Sequence, residues 1–231
     1  MIEIRRAQDR GVNDWGWLYS RNTFSVGNYY DPQHMGFSSL RVLNDDVVAP
    51  GKGFATHSHK NMEIISLVLE GVIEHEDNQG NIKRLVEGEY QLMSAGKGIS
   101  HSEYNGLQSD SLRFMQIWIE PSELGGKPSY QQQAFDNTSG LTPIVTPTGE
   151  NGTLRIKQDA TMYQLVLEPG EHISLPLSRE RCGFVQVLSG QLTLNEQGIG
   201  AGDGAKVSSE ANLSFTNPSG EKATVLVFDL P

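Results

Sequence analysis

Cysteine is nearly absent. Cys182 is the single thiol in 231 residues, so no internal disulfide can form, and a reducing compartment fits. Basic charge is in deficit. There are 18 Lys and Arg against 28 Asp and Glu, a net charge of −10. Direct, general binding to DNA or RNA needs a basic surface, so no nucleic-acid partner is expected. Long apolar runs are missing, which excludes a membrane-spanning helix. The start, Met1-Ile2-Glu3-Ile4-Arg5-Arg6, lacks the apolar core of a signal peptide. A soluble, cytoplasmic protein is the expectation. Helical periodicity is scarce too.

Short β-rich runs are there instead, at 63–69, 72–76, 82–86, 112–119, 163–167, 184–188, 191–194 and 223–228. Glu70-Gly71, Ser189-Gly190 and Asp77-Asn78-Gln79-Gly80-Asn81 read as hairpin turns. Many short strands with close turns predict an all-β sandwich or barrel. Residues 121–128 and 137–152, rich in Pro, Gly, Ser and Thr, read as the connection between two halves.

The halves repeat. Val48-Ala49-Pro50-Gly51 resembles Leu167-Glu168-Pro169-Gly170, and the same offset carries Leu69-Glu70-Gly71 onto Leu188-Ser189-Gly190. It also carries His57 onto Pro176, His59 onto Ser178 and Glu63 onto Cys182. Duplication of one barrel explains this, with the second copy stripped of polar ligands. Two domains follow: residues 1–135 with a metal site, and residues 136–231 without one.

The metal expectation rests on two pairs, His57-Ser58-His59 and His101-Ser102-Glu103. On a strand, spacing i, i+2 puts both side chains on one face. A lone His-x-His is usually two exposed histidines. Here the chain has 6 histidines, and three of them fall in two such pairs. Three imidazoles and a carboxylate form a complete donor set for one divalent transition metal. A site open to small molecules then needs a metal taking five or six partners. Fe(II) is the first expectation, with Mn, Ni, Co, Cu and Zn compatible. His34 and His75 have no partner at ligand spacing, and His172 reads as surface or packing. Cys182 reads as a small buried hydrophobe rather than a redox thiol.

The frame around these pairs resembles a known family. Gly51-x5-His57-x-His59-x3-Glu63-x7-Gly71 is similar to the first motif of the cupin superfamily. Gly88-x5-Ser94-x-Gly96-x4-His101-x3-Asn105 is similar to the second. Two extra residues before His101, Ser94 in place of the usual proline, and Glu103 two residues after His101 resemble the pirin family. So do Trp17-Leu18, Thr23-Phe24-Ser25, Tyr29-Tyr30-Asp31-Pro32 and the run from Leu40 to Asp46. The resemblance covers essentially the whole chain. It implies a bicupin: two antiparallel, jelly-roll-like β-barrels packed together. It implies His57, His59, His101 and Glu103 as metal ligands. In many cupins the carboxylate ligand comes from the first motif, which here is Glu63. With Glu103 as ligand, Glu63 orients a histidine or holds its strand.

Some short bacterial pirin-like proteins open the flavonol ring of quercetin with dioxygen. The resemblance therefore implies a dioxygenase with a small aromatic substrate, oxygen insertion and loss of carbon monoxide. A carboxylate, Glu103 or Glu63, serves as general base for the 3-hydroxyl. Along 112–119, alternation sets Phe114, Gln116 and Trp118 on one face and Arg113, Met115, Ile117 and Ile119 on the other, one of them facing the barrel interior. Phe24 and Tyr29 are candidates to cover its mouth. The alternative is a metal-binding, redox-responsive regulator acting through a protein partner, as nuclear pirins do. A third reading is another cupin enzyme, an isomerase or hydrolase. A monomer is expected.

Overall fold

The computed structural model describes all residues from Met1 to Pro231. Strands dominate, and the only helical elements are two 3-10 turns, Ala7–Asp9 and Glu150–Gly152. The β-rich runs are strands: Glu63–Glu70, Val72–Asp77, Ile82–Val86, Leu112–Ile119, Thr161–Leu167, Cys182–Ser189, Gln191–Leu194 and Ala223–Leu230. The connection read at 137–152 needs correction. It holds the strand Gly140–Thr146, antiparallel to Thr161–Leu167. Its Pro143 lies at a register shift, where a missing N–H does least harm to the ladder.

Contacts divide the chain into two units. The histidine-bearing unit is Gly11–Phe135 with Leu154–Gln158. The apolar unit is Met1–Arg10, Asp136–Thr153 and Asp159–Pro231. Two segments thus depart from a simple cut after residue 135. Met1–Arg10 joins the later unit because Ile2–Arg5 pairs with Gly204–Ser208. Leu154–Gln158 joins the earlier one, where the Arg155 amide donates to Gln131 Oε1 and the Lys157 amide to Glu63 Oε2.

In the histidine-bearing unit a large antiparallel sheet runs in the order Ser129–Ala134, Glu89–Ser94, Glu63–Glu70, Leu112–Ile119, Leu40–Val48, Leu18–Asn22, Gly11–Asp14. A smaller sheet runs Gly53–His59, Ile99–Asn105, Val72–Asp77, Ile82–Val86. The two face each other across a core containing Leu18, Val48, Val68, Ile73, Leu85 and Phe114. The apolar unit repeats the pattern. Its large sheet contains Ile2–Arg5, Gly204–Ser208, Cys182–Ser189, Ala223–Leu230, Thr161–Leu167 and Gly140–Thr146 in that order, and its small one His172–Pro176, Asn212–Thr216, Gln191–Leu194, Gln197–Gly200. Each unit is a flattened antiparallel β-barrel. The matched hairpins are tight for the same reason. Gly71 and Gly190 hold φ of 88° and 77°, and a Cβ on either would crowd backbone of the strand Leu112–Ile119 or Ala223–Leu230.

Candidate metal centre

The strands Gly53–His59 and Ile99–Asn105 pair antiparallel, with His57 opposite His101 and His59 opposite Ile99. Their ladder is broken between His101 and Glu103. Those two residues are two apart, whereas their partners His57 and Phe54 are three apart. The extra residue is a β-bulge. In an unbroken strand Phe54 and His57 would face opposite ways. Here Phe54, His57 and His59 line one cavity.

The three imidazoles converge. Ring centroids of His57 and His59 are 4.7 Å apart, His57 and His101 4.5 Å, His59 and His101 5.0 Å. His101 Nε2 lies 3.1 Å from His57 Nε2. His57 Nδ1 donates to the Ala55 carbonyl at 2.8 Å, which leaves its Nε2 with a lone pair. Burial, with His101 and His57 next to it, lowers His59 to about 4. Burial likewise outweighs the pull of Glu103 and lowers His101 to about 4. At neutral pH the His59 and His101 rings are uncharged and can donate.

Glu103 is buried on the same strand as His101 and also lines the cavity. Its Oε1 accepts from Gln91 Nε2 at 2.8 Å and Ser66 Oγ at 3.3 Å, and its Oε2 from Gln116 Nε2 at 3.1 Å. Burial alone pushes this carboxyl up, but His101, His75 and the Gln116 bond bring the net shift below the usual range. It remains an anion. Glu63 is elsewhere. Side chains on Glu63–Glu70 alternate, so Ser66 reaches Glu103 and Glu63 faces away. Its carboxylate accepts from Ser94 Oγ at 2.8 Å and the Lys157 amide at 3.2 Å, and no histidine touches it. Burial raises its pKa. Its role in the structure is to hold strands.

His75 corrects the sequence reading. It is fully buried, sits opposite Glu103 on Val72–Asp77, and belongs with His101 and Glu103 to a close-set group of donors. Its Nε2 is 3.1 Å from Asp77 Oδ2, and its ring centroid is 5.3 Å from that of His101. The partner came from strand pairing, which linear spacing does not display. His75-x-Asp77, itself an i, i+2 pair, was the available signal. His172 is exposed against Ser214, and His34 pairs loosely with Asp31. Cys182 is half-buried rather than buried.

The cavity wall from Leu112–Ile119 is the Gln116 and Trp118 face. Phe24 is core and Tyr29 packs against Gly11, so neither covers the mouth. Trp15, Val26 and Gly27 line the cavity instead.

The donor set fits a divalent transition metal. Two Nε2 atoms 3.1 Å apart match nitrogens sharing one ion at roughly 2.1 Å and a right angle, about 3.0 Å. Sulfur is absent from the cluster, which excludes an iron–sulfur centre there.

A model of the pirin family matches residues 3–119. The chain belongs to the pirin family. A second model, the quercetinase C-terminal cupin domain, matches residues 143–230, so both barrels of this pirin-family chain are cupins and the fold is a bicupin. It is 44% identical over 231 residues to a quercetin 2,3-dioxygenase of Escherichia coli K12, covering 100% of this chain and 99% of that one. A pirin-like protein of Caulobacter vibrioides is 39% identical over 220 residues, 94% of each chain. The crystal structure of the bacterial pirin YhhW from Escherichia coli in complex with nickel(II) superposes with a TM-score of 0.97 at 44% identity, covering 100% of this chain and 99% of that one.

Proposed function

We propose that this protein is a metal-dependent dioxygenase that opens the ring of flavonols such as quercetin, with the metal held by His57, His59, His101 and Glu103. One observation carries the reading: His57, His59 and the anionic Glu103 line one cavity beside Trp15, Phe54 and Trp118, and the His101 ring lies against both of those imidazoles. The Escherichia coli relatives named for quercetin oxidation and for a nickel(II) complex support it. The donors suit Fe(II) first, and Mn, Co, Ni, Cu or Zn as well.

A divalent metal bound there supplies Lewis acidity, which lowers the pKa of the flavonol 3-hydroxyl and prepares the electron-rich anion for dioxygen. The protein's own groups do the rest. The donors Gln91, Ser66 and Gln116 hold the Glu103 carboxylate and stabilise its anion, ready to take the hydroxyl proton. Glu63 does not line the cavity, so that role falls to Glu103. Trp118 and Phe54 exclude water and offer flat apolar faces to a planar substrate. Both atoms of dioxygen enter the ring-opened product and one carbon leaves as carbon monoxide.

Anaerobic reconstitution with each metal, followed by quercetin and air, tests this. Oxygen uptake and carbon monoxide release in equal amounts are expected, and His101→Ala should abolish both. A fully loaded protein that consumes no oxygen with any flavonol would leave the regulatory reading instead.

A further inference from the structure

A row of polar side chains crosses the inner face of the large sheet beneath this cavity. Strand register aligns Gln91 with Ser66, Ser66 with Gln116, Gln116 with Asn44, and Asn44 with Asn22. Most of the row is engaged. Gln91, Ser66 and Gln116 bond Glu103, and Gln116 Oε1 also accepts from Trp118 Nε1 at 3.1 Å. Asn22 donates to Ser20 Oγ and accepts from Asn13, both at 2.9 Å. Asn44 differs. It lines the cavity between these two engaged groups, and its Oδ1 is buried with no hydrogen-bond partner. A buried amide oxygen left unpaired costs about 1–3 kcal/mol. A turn of the side chain toward the cavity, where a bound ligand donates a hydrogen bond to this oxygen, removes that cost.

We infer that Asn44 is a specificity-determining residue, accepting a hydrogen bond from a ring hydroxyl of the substrate remote from the hydroxyl-ketone edge that meets the metal. The inference rests on the flavonol reading above. Asn44 lies one strand beyond Gln116, which itself reaches Glu103. One to two strand spacings are about 5–10 Å, the scale on which a fused bicyclic ring separates its substituents. The substrate class is thereby narrowed to polyhydroxylated flavonols. The bare 3-hydroxy-4-keto ring system lacks the donor that Asn44 awaits.

The test crosses two proteins with two ligands. Metal-loaded wild type and Asn44→Leu, which keeps the branched shape and removes the amide, are each given quercetin and 3-hydroxyflavone. Binding is read anaerobically by quenching of tryptophan fluorescence, and turnover by oxygen uptake. Asn44→Leu should weaken quercetin binding and kcat/KM about tenfold. It should leave 3-hydroxyflavone and metal content unchanged. Asn44→Ser, a smaller change that keeps a hydroxyl acceptor, should recover part of the quercetin preference. Equal losses for both ligands, or no loss for quercetin, overturn the inference while leaving the flavonol reading intact. A wild type that binds neither flavonol overturns both.

Discussion

The two units share strand order and hairpins, yet their interiors are opposites. An asparagine brace shows how closely the frames agree. Asn105 Nδ2 donates to the carbonyls of Val48 and Asp110, and Asn217 Nδ2 to those of Leu167 and Glu221. Counting back from the brace, His101 corresponds to Leu213 and Glu103 to Phe215. Register places His75 on Leu194, Ser66 on Val185, Gln91 on Ala205 and Gln116 on Val227. Every one of these counterparts belongs to a single apolar core. The first-motif histidines need a correction here. Their sequence offset points to Pro176 and Ser178, but Leu175 pairs with Leu213 and the Leu177 amide bonds the Ala211 carbonyl. Leu175 and Leu177 are therefore the spatial counterparts, and both pack on that core.

The barrel is thus complete without a polar interior. In the histidine-bearing unit the same frame tolerates buried polar atoms without partners, among them His75 Nδ1, His101 Nδ1 and Gln91 Oε1. Each such atom costs about 1–3 kcal/mol. The unit sacrifices stability for chemistry, whereas its counterpart fills the matching positions with apolar side chains.

The largest expected effect comes from moving a ligand into the wrong unit. Phe215→Glu buries an unpaired charge and opens a void, and should cost about 4 kcal/mol or more. Denaturant unfolding checks it, and a loss under about 1 kcal/mol would mean the second interior is not closed.

Next come the reverse substitutions. His101→Leu should fold and retain no metal after dialysis against a mild chelator. Glu103→Gln should lose most of its metal, because a neutral amide is a poorer donor. Glu63→Gln should keep it and lose stability instead, through Ser94 and the Lys157 amide. Metal retained by Glu103→Gln and lost by Glu63→Gln would reverse the ligand assignment.

His75→Leu, copying Leu194, sharpens the comparison further. It removes a group beside His101 and Glu103 without opening a void, so metal affinity should fall on the order of 10–100-fold. Competition titration against a chromogenic chelator reads it.

A further effect is in pH. His59 and His101 sit near about 4 when folded, against 6.5 ordinarily. Between these values the unfolded chain binds more protons, so the metal-free protein should lose stability as pH falls from about 6.5 toward 4, with no further loss from these groups below. The double variant His59→Leu, His101→Leu should flatten that profile in urea midpoints.

Much of this was legible in the chain. Alternation and turn glycines marked the strands, and two i, i+2 pairs marked the metal cluster. What stayed hidden depends on which strands pair. His75 reaches the site through register with Glu103, and Ile2–Arg5 joins a sheet some 200 residues away in sequence. Gly140–Thr146 hid behind its proline and glycine. The repeat was visible, but its offset misaligned the histidines because a bulge is silent in a residue count.

That bulge has an evolutionary reading. From Phe54 to Glu63, and from Ile173 to Cys182, the two copies have the same number of residues. One copy places its odd residue inside the strand, the other in the loop that follows. No codon has to be gained or lost to pass between them. Substitutions that shift where one residue bulges suffice to turn a metal-binding face into a sealed one, or the reverse. An ancestral single barrel could acquire or discard its chemistry by point mutation while every flanking turn stayed where it was.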